Sequence, residues 1–232
     1  MERHDFARYI GAGTSADSSN KKGRERNAAC VALAHNIRLI WADLLVSRGL
    51  CPSVRMANRC LVRLYENGRL KRVGKHWFSE YHWTCIYGIT ETRTLEHDVY
   101  RTQVWDAYRP DDFTIERCPY NEDMAMVIDT ETYRVEIDRD TEGRERVLDR
   151  FKRYAACTDQ MLFLTLSHER IRRVKRWAES VKDIIFFATI QDSICDPYGQ
   201  IYTDVEGAVY SVPKPVAQTV PMPDSCGTPT PP

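Results

Sequence analysis

The chain has 232 residues, 43% of them hydrophobic and 28% charged, with 33 basic and 33 acidic side chains. This is the composition of a folded globular protein and not of a disordered one. No apolar run approaches the ~20 residues of a membrane-spanning helix, and the opening MERHDFARYIGAG lacks the apolar core of a signal peptide, so the expected setting is the cytoplasm with no membrane partner.

The eight cysteines are scattered, with no CxxC pair and no close Cys/His cluster. That spacing argues against a zinc site and against a dense disulfide framework, and leaves reduced structural thiols as the expectation. Zero net charge hides an asymmetry. From Ser53 to His76 seven basic residues stand against Glu66 alone, a local excess of +6, which points to a surface for a polyanion.

In chain order, residues 1–27 are small, polar and aperiodic and read as a flexible lead-in. Residues 28–46 carry an apolar helical pattern broken once near His35–Asn36, and Gly49 ends it. Ser53 is placed to cap a new helix whose Ala57, Cys60, Leu61 and Leu64 form one side and whose Arg55, Arg59 and Arg63 form the opposite stripe. After Asn67–Gly68, the alternating LKRV and KHWFSEYHW segments read as a β-ribbon around Gly74, with Trp77 and Trp83 expected to brace it against the helices, stacking of an exposed aromatic on DNA being the alternative.

This order resembles a winged helix-turn-helix over residues 28–90. SVRMANRCLVRLYENGRLKRVGK matches that family's recognition helix, closing glycine and basic wing. The resemblance implies contact with double-stranded DNA through Ser53, Arg55, Asn58, Arg59, Arg63, Lys71, Arg72 and Lys75. A solvated arginine face is the plainer alternative.

A second unit is expected over residues 94–206. Leu95–Tyr108 is helical by pattern, FTIE at 113–116 is a short strand, and MAMVID and YRVEID follow as a hairpin with its turn near Asp129–Thr132. Residues 142–156 read as a helix with Val147, Leu148, Phe151, Tyr154 and Ala155 inward. MLFLTL is a buried strand, Ser167 caps a helix carrying Ile171, Val174, Ala178 and Val181, and IIFFAT is a further buried strand. The order α-β-β-β-α-β-α-β implies an α/β unit, α+β for the whole chain, built on a mixed sheet with flanking helices. Residues 207–232, rich in proline, are expected to be a disordered tail.

YRVEID alternates apolar and polar side chains, so it reads as a half-buried strand with Glu136 and Asp138 on its polar face. Asp123 stands at the start of the preceding strand. Three carboxylates converging from adjacent strands are the means by which a protein grips Mg²⁺ or Mn²⁺ for phosphodiester hydrolysis. The arrangement resembles the core of the PD-(D/E)xK nuclease superfamily, which implies Asp123 and Glu136 as metal ligands. The signature lysine is replaced here by Asp138, and Lys152 on the following helix is the candidate substitute.

Exposed acids paired to Arg134, Arg139 or Arg144 are the plainer reading of the same strand. Likewise, His97 with Asp98 reads more simply as a packing or hydrogen-bonding pair, and Glu142 as a residue stabilised by a helix N-terminus.

Taken together, LEHDVYRTQV, the Asp before the second strand, VEIDRDTEGRERVLDRFKRYA and the LFLT strand followed by SHERIRR resemble the replication-relaxation family of plasmid and mobile-element proteins. The residues that match are His97, Asp98, Asp123, Glu136, Asp138, Thr141, Glu142, Lys152 and Tyr154. The resemblance implies a DNA-associated role in replication, relaxation or mobilisation of a plasmid, phage or integrative element, with a homodimer or replication and transfer proteins as partners. Two functions compete: a metal-dependent endonuclease, and a non-catalytic DNA-binding regulator on a degenerate nuclease fold. A metabolic α/β enzyme is disfavoured because no Gly-rich phosphate loop occurs.

Overall fold

The computed structural model describes residues 16–214, apart from residues 81, 91, 93, 111, 115–121 and 129. Helix α1 (Ala16–Ile37) leads through a two-residue strand β1 (Leu39–Ile40) to α2 (Ala42–Ser47) and α3 (Val54–Glu66). Residues 16–27 therefore belong to a helix and not to a flexible lead-in; residues 1–15 lie outside the described region. The expected break near His35–Asn36 falls at Arg38, whose left-handed backbone (φ 71°) turns the chain from α1 into β1.

Strands β2 (Lys71–Ser79) and β3 (His82–Gly88) form an antiparallel hairpin, and β1 completes a three-stranded sheet in the order β1-β3-β2. The hairpin turns after Ser79, not at Gly74. Gly74 lies within β2 beside a register shift, where an added Cβ would sit 2.6 Å from Leu95 Cδ2, so this glycine permits close approach of the next helix.

That helix, α4 (Leu95–Tyr108), connects the two halves. A second sheet has the order β10-β9-β8-β7-β6-β5-β4, built from β4 (Asp112–Thr114), β5 (Met124–Ile128), β6 (Glu131–Asp138), β7 (Gln160–Thr165), β8 (Ile185–Thr189), β9 (Tyr202–Thr203) and β10 (Val209–Tyr210). Strands β6, β7 and β8 run parallel and the other pairings are antiparallel, a mixed sheet in an α+β chain.

The parallel pairs are joined by α5 (Arg144–Tyr154) and α6 (His168–Lys175), the crossover helices that parallel strands require. Ser167 caps α6 by accepting from the Arg170 amide at 3.1 Å. The single helix expected through Val181 stops at Lys175 and resumes only as a 3₁₀ turn, Glu179–Val181. Beyond β8, helix α7 (Ile190–Cys195), β9 and β10 extend the sheet past the expected boundary at 206; residues 215–232 lie outside the described region.

Strand alternation divides the large sheet into two faces. Val135, Ile137, Leu162, Leu164 and Ala188 join α4 and the N-terminal helices in one continuous core. On the other face Met161, Phe163, Ile185 and Phe187 pack with Val147, Phe151 and Tyr154 of α5 and Ile171 and Val174 of α6. Among the described residues no helix is long and apolar enough to cross a membrane.

The scattered cysteines are not all scattered in space. Cys30 of α1, Cys51 and Cys60 of α3 are buried free thiols, and the Cys30 and Cys60 sulfurs lie 3.8 Å apart. They meet because helical spacing puts Cys30 and Cys60 on the inward sides of helices that pack together, a closeness that linear spacing does not reveal.

Candidate functional site

Two surfaces carry the residues singled out in the sequence. On the first, Ser53 caps α3 by accepting from the Met56 amide at 3.3 Å. Ala57, Cys60, Leu61 and Leu64 face inward, which turns Arg55, Asn58, Arg59 and Arg63 to solvent. Lys71, Arg72 and Lys75 on β2 are exposed as well. Arg55, Arg59 and Arg63 form no ion pair with another described residue, so their charge is uncompensated on the outer side of the helix.

The tryptophans of the ribbon do not brace it. Trp77 is 62% and Trp83 45% exposed, paired across the strands at 6.3 Å between ring centroids, with Lys75 Nζ 4.3 Å above the Trp83 ring. Bracing is done by Phe78, whose ring lies 5.2 Å from Trp41. The period-2 rule puts residue 78 on the opposite face from 77, and the face that points inward is the one with the single phenylalanine.

On the second surface, Asp123, Glu136 and Asp138 gather at one end of the large sheet. Asp123 Oδ2 accepts from the Ile137 amide at 2.8 Å and from His97 Nε2 of α4 at 3.0 Å. Glu136 and Asp138 are each 1% exposed. The half-buried strand expected from alternation is thus covered on both faces, and the polar face of β6 lies under α5 and α6.

Glu136 Oε2 accepts from the Tyr154 hydroxyl at 2.6 Å, and Oε1 is paired with Arg150, which also reaches Glu142 Oε1 at 2.6 Å. Asp138 Oδ2 accepts from Arg170 Nε at 2.8 Å and from its terminal nitrogen at 2.6 Å, while Oδ1 accepts from the Asp140 amide at 2.8 Å. Burial raises the Asp138 carboxyl above its usual range even with Arg170 opposing, and burial followed by the nearby Asp138 does the same to Glu142.

Lys152 is not brought to this site. Its side chain is 75% exposed and pairs with Asp149 at 3.0 Å, one position off the helix face that Arg150 occupies. The partners of the buried acids are Arg150 and Arg170; Arg134 pairs with Glu122 and Asp159, and Arg139 with Glu96. Arg144 is exposed.

The geometry decides what the cluster holds. A divalent ion needs carboxylate oxygens turned to a common open point. Here Glu136 presents both oxygens to Arg150 and Tyr154, and Asp138 presents both to Arg170 and a backbone amide. Guanidinium groups occupy the positions of positive charge, so the donor set as arranged fits a buried ion-pair network better than Mg²⁺ or Mn²⁺. Among the described residues no group of three or more His, Cys, Asp or Glu side chains is disposed to hold a metal.

His97 is the hydrogen-bonding residue expected at the start of α4, with Asp123 as a second partner beside Asp98. Burial lowers its pKa, but hydrogen bonds to Asp123 and Asp98 outweigh burial and push it up to about 9. A histidine raised above its ordinary 6.5 stabilises the fold fully below that pH, and the stabilisation is lost as pH rises through about 9. The free energy of unfolding is therefore expected to fall by about 3 kcal/mol across that window relative to His97→Gln. Urea titrations at several pH values check this, and parallel pH profiles for the two proteins would remove the His97–Asp123 link.

No protein-family model matches the chain, and neither a curated protein nor a solved structure matches it.

Proposed function

We propose that this chain is a duplex-DNA-binding protein in which α1–α3 and the β2–β3 ribbon act as a winged helix-turn-helix, and that the nuclease-like second unit serves as a scaffold without catalysis. The observation that carries the reading is the outward stripe of Arg55, Arg59 and Arg63, uncompensated on α3 and followed directly by Lys71, Arg72 and Lys75 on the ribbon. A helix of this kind fits the major groove with an adjacent wing along the backbone. The three arginines of α3 have no ion pair with another described residue to break when they meet phosphate.

The scaffold reading rests on the internal pairing of Glu136 and Asp138 with Arg150 and Arg170. Metal-dependent nicking at a plasmid, phage or integrative-element origin is the second reading, favoured by the gathering of Asp123, Glu136 and Asp138 at one sheet end.

Fluorescence anisotropy with a labelled duplex tests the binding claim. Affinity is expected to fall with salt at a log–log slope of about −4 to −6, as for five or six neutralised phosphates. Absence of binding at low salt would sink it. In parallel, supercoiled plasmid is expected to survive incubation with Mg²⁺ or Mn²⁺; cleavage that Glu136→Ala abolishes would replace the scaffold reading with the catalytic one.

A further inference from the structure

The basic block on α3 and the ribbon is not the molecule's only one. Between Arg144 and Arg176 ten basic residues face four acidic ones, an excess of +6 equal to that of residues 53–76. Two of the ten, Arg150 and Arg170, are consumed by the buried acids, and Lys152 and Arg173 are paired along their own helices with Asp149 and Glu169. Lys175 is half-buried, its Nζ 5.7 Å from the Phe187 ring centroid, and Arg144, Arg146, Arg153, Arg172 and Arg176 remain exposed and form no ion pair with another described residue.

Their placement gives them meaning. Phe163 and Phe187 pack under α5 and α6, while Leu162, Leu164 and Ala188, one residue along the same strands, face α4 and the core that holds α1–α3. The α5–α6 layer and the N-terminal unit are therefore joined to opposite faces of one sheet. Two separate polybasic surfaces on opposite sides of a single packed body cannot both lie along one short straight duplex.

We propose that the outer surface of α5 and α6 is a second site for duplex DNA, taken through backbone phosphates, so that one molecule holds two duplex segments or the two arms of a loop. The inference rests on the reading of α3 as the first DNA surface. Five exposed arginines spread over α5, α6 and the residue that closes α6 suit phosphate contact without base readout. The buried acids do not oppose this, since their charge is met internally by Arg150 and Arg170.

A bridging assay tests it. A biotinylated duplex is immobilised, the full chain is added, and retention of a second, fluorescent duplex is measured, with light scattering to fix the stoichiometry of the protein. Wild type is expected to retain the second duplex as a monomer. The double variant Arg172→Glu, Arg176→Glu, on exposed positions, is expected to bind one duplex within about threefold of wild type and to lose bridging by at least about tenfold. The α5 variant Arg144→Glu, Arg146→Glu, Arg153→Glu is expected to behave in the same way. Bridging that survives in both variants, or a wild type that binds one duplex but never retains a second, overturns the second site while leaving the α3 reading intact. A wild type that binds no duplex fails the α3 reading first, and this proposal with it.

Discussion

Replacing the buried Arg170 with methionine is expected to cost about 3–5 kcal/mol of stability, the largest effect of any single charged-to-apolar exchange on the α5–α6 layer. The side chain of Asp138 is completely buried and that of Arg170 nearly so, and Arg170 also donates to the Glu142 carbonyl at 2.8 Å. Without the guanidinium, a carboxylate is left in a medium that solvates it poorly, and the cost is the desolvation of an unpaired charge more than the loss of one hydrogen bond.

The sign of the pH dependence follows. An unpaired buried carboxyl has its folded pKa raised, so it stabilises least where it must ionise, and the deficit of Arg170→Met grows as pH rises from the acid range toward neutrality. Arg170→Met combined with Asp138→Leu removes both charges and is expected to recover most of the loss. Urea unfolding of the wild type, the single variant and the double variant measures all three. A single variant within about 1 kcal/mol of wild type would mean that Asp138 is solvated, and the closed ion-pair network would have to be abandoned.

The alternation of β6 does not by itself disclose the network. YRVEID correctly declared a strand, because Tyr133, Val135 and Ile137 alternate with charged residues and all three pack into the core. Alternation, however, reports only that the two faces differ; it does not say whether water or protein covers the polar one. The missing information lay in the helices. Val147, Arg150, Phe151 and Tyr154 are spaced i, i+3, i+4, i+7, so Arg150 sits in the apolar stripe of α5. Arg170 stands just before Ile171 and one turn before Val174 in the same way. A guanidinium at an inward position is a cation that must meet an acid, and β6 supplies Glu136 and Asp138 opposite both helices. Lys152, one step outside that stripe, was the lysine expected of the family pattern but not the cation that the helix face selects.

Local signals fared best where the physics is local. Ser53 and Ser167 each accept an amide three residues on, as their side chains and the following helical patterns require. Elements set by distant contacts were illegible: β9 and β10 are two-residue strands that exist because β8 offers an edge, and no periodicity can appear in two residues. The exposure of Trp77 and Trp83 belongs to the same class. A tryptophan in a strand is expected inward on hydrophobicity alone, yet Phe78 took the inward register against Trp41 and forced its neighbours out.

The double variant Arg55→Ala, Arg59→Ala is expected to weaken duplex binding by at least about tenfold at moderate salt and to reduce the salt slope by about 1.8, if each arginine neutralises one phosphate. The two residues lie four apart on the exposed side of α3, one turn of helix, a spacing that presents both to one groove. Neither contributes to the core, and alanine is at least as good a helix former as arginine, so the thermal midpoint is expected to stay within a few degrees of wild type. That separation gives the measurement its force: affinity falls with the fold intact, which a general weakening of the N-terminal unit cannot mimic. The slope discriminates further. Loss of affinity with an unchanged slope would mean that the arginines read base edges and not phosphates, and then variant and wild type should differ in their preference among duplex sequences. An unchanged affinity together with an unchanged slope would leave the stripe as a solvated face and remove α3 from the DNA interface.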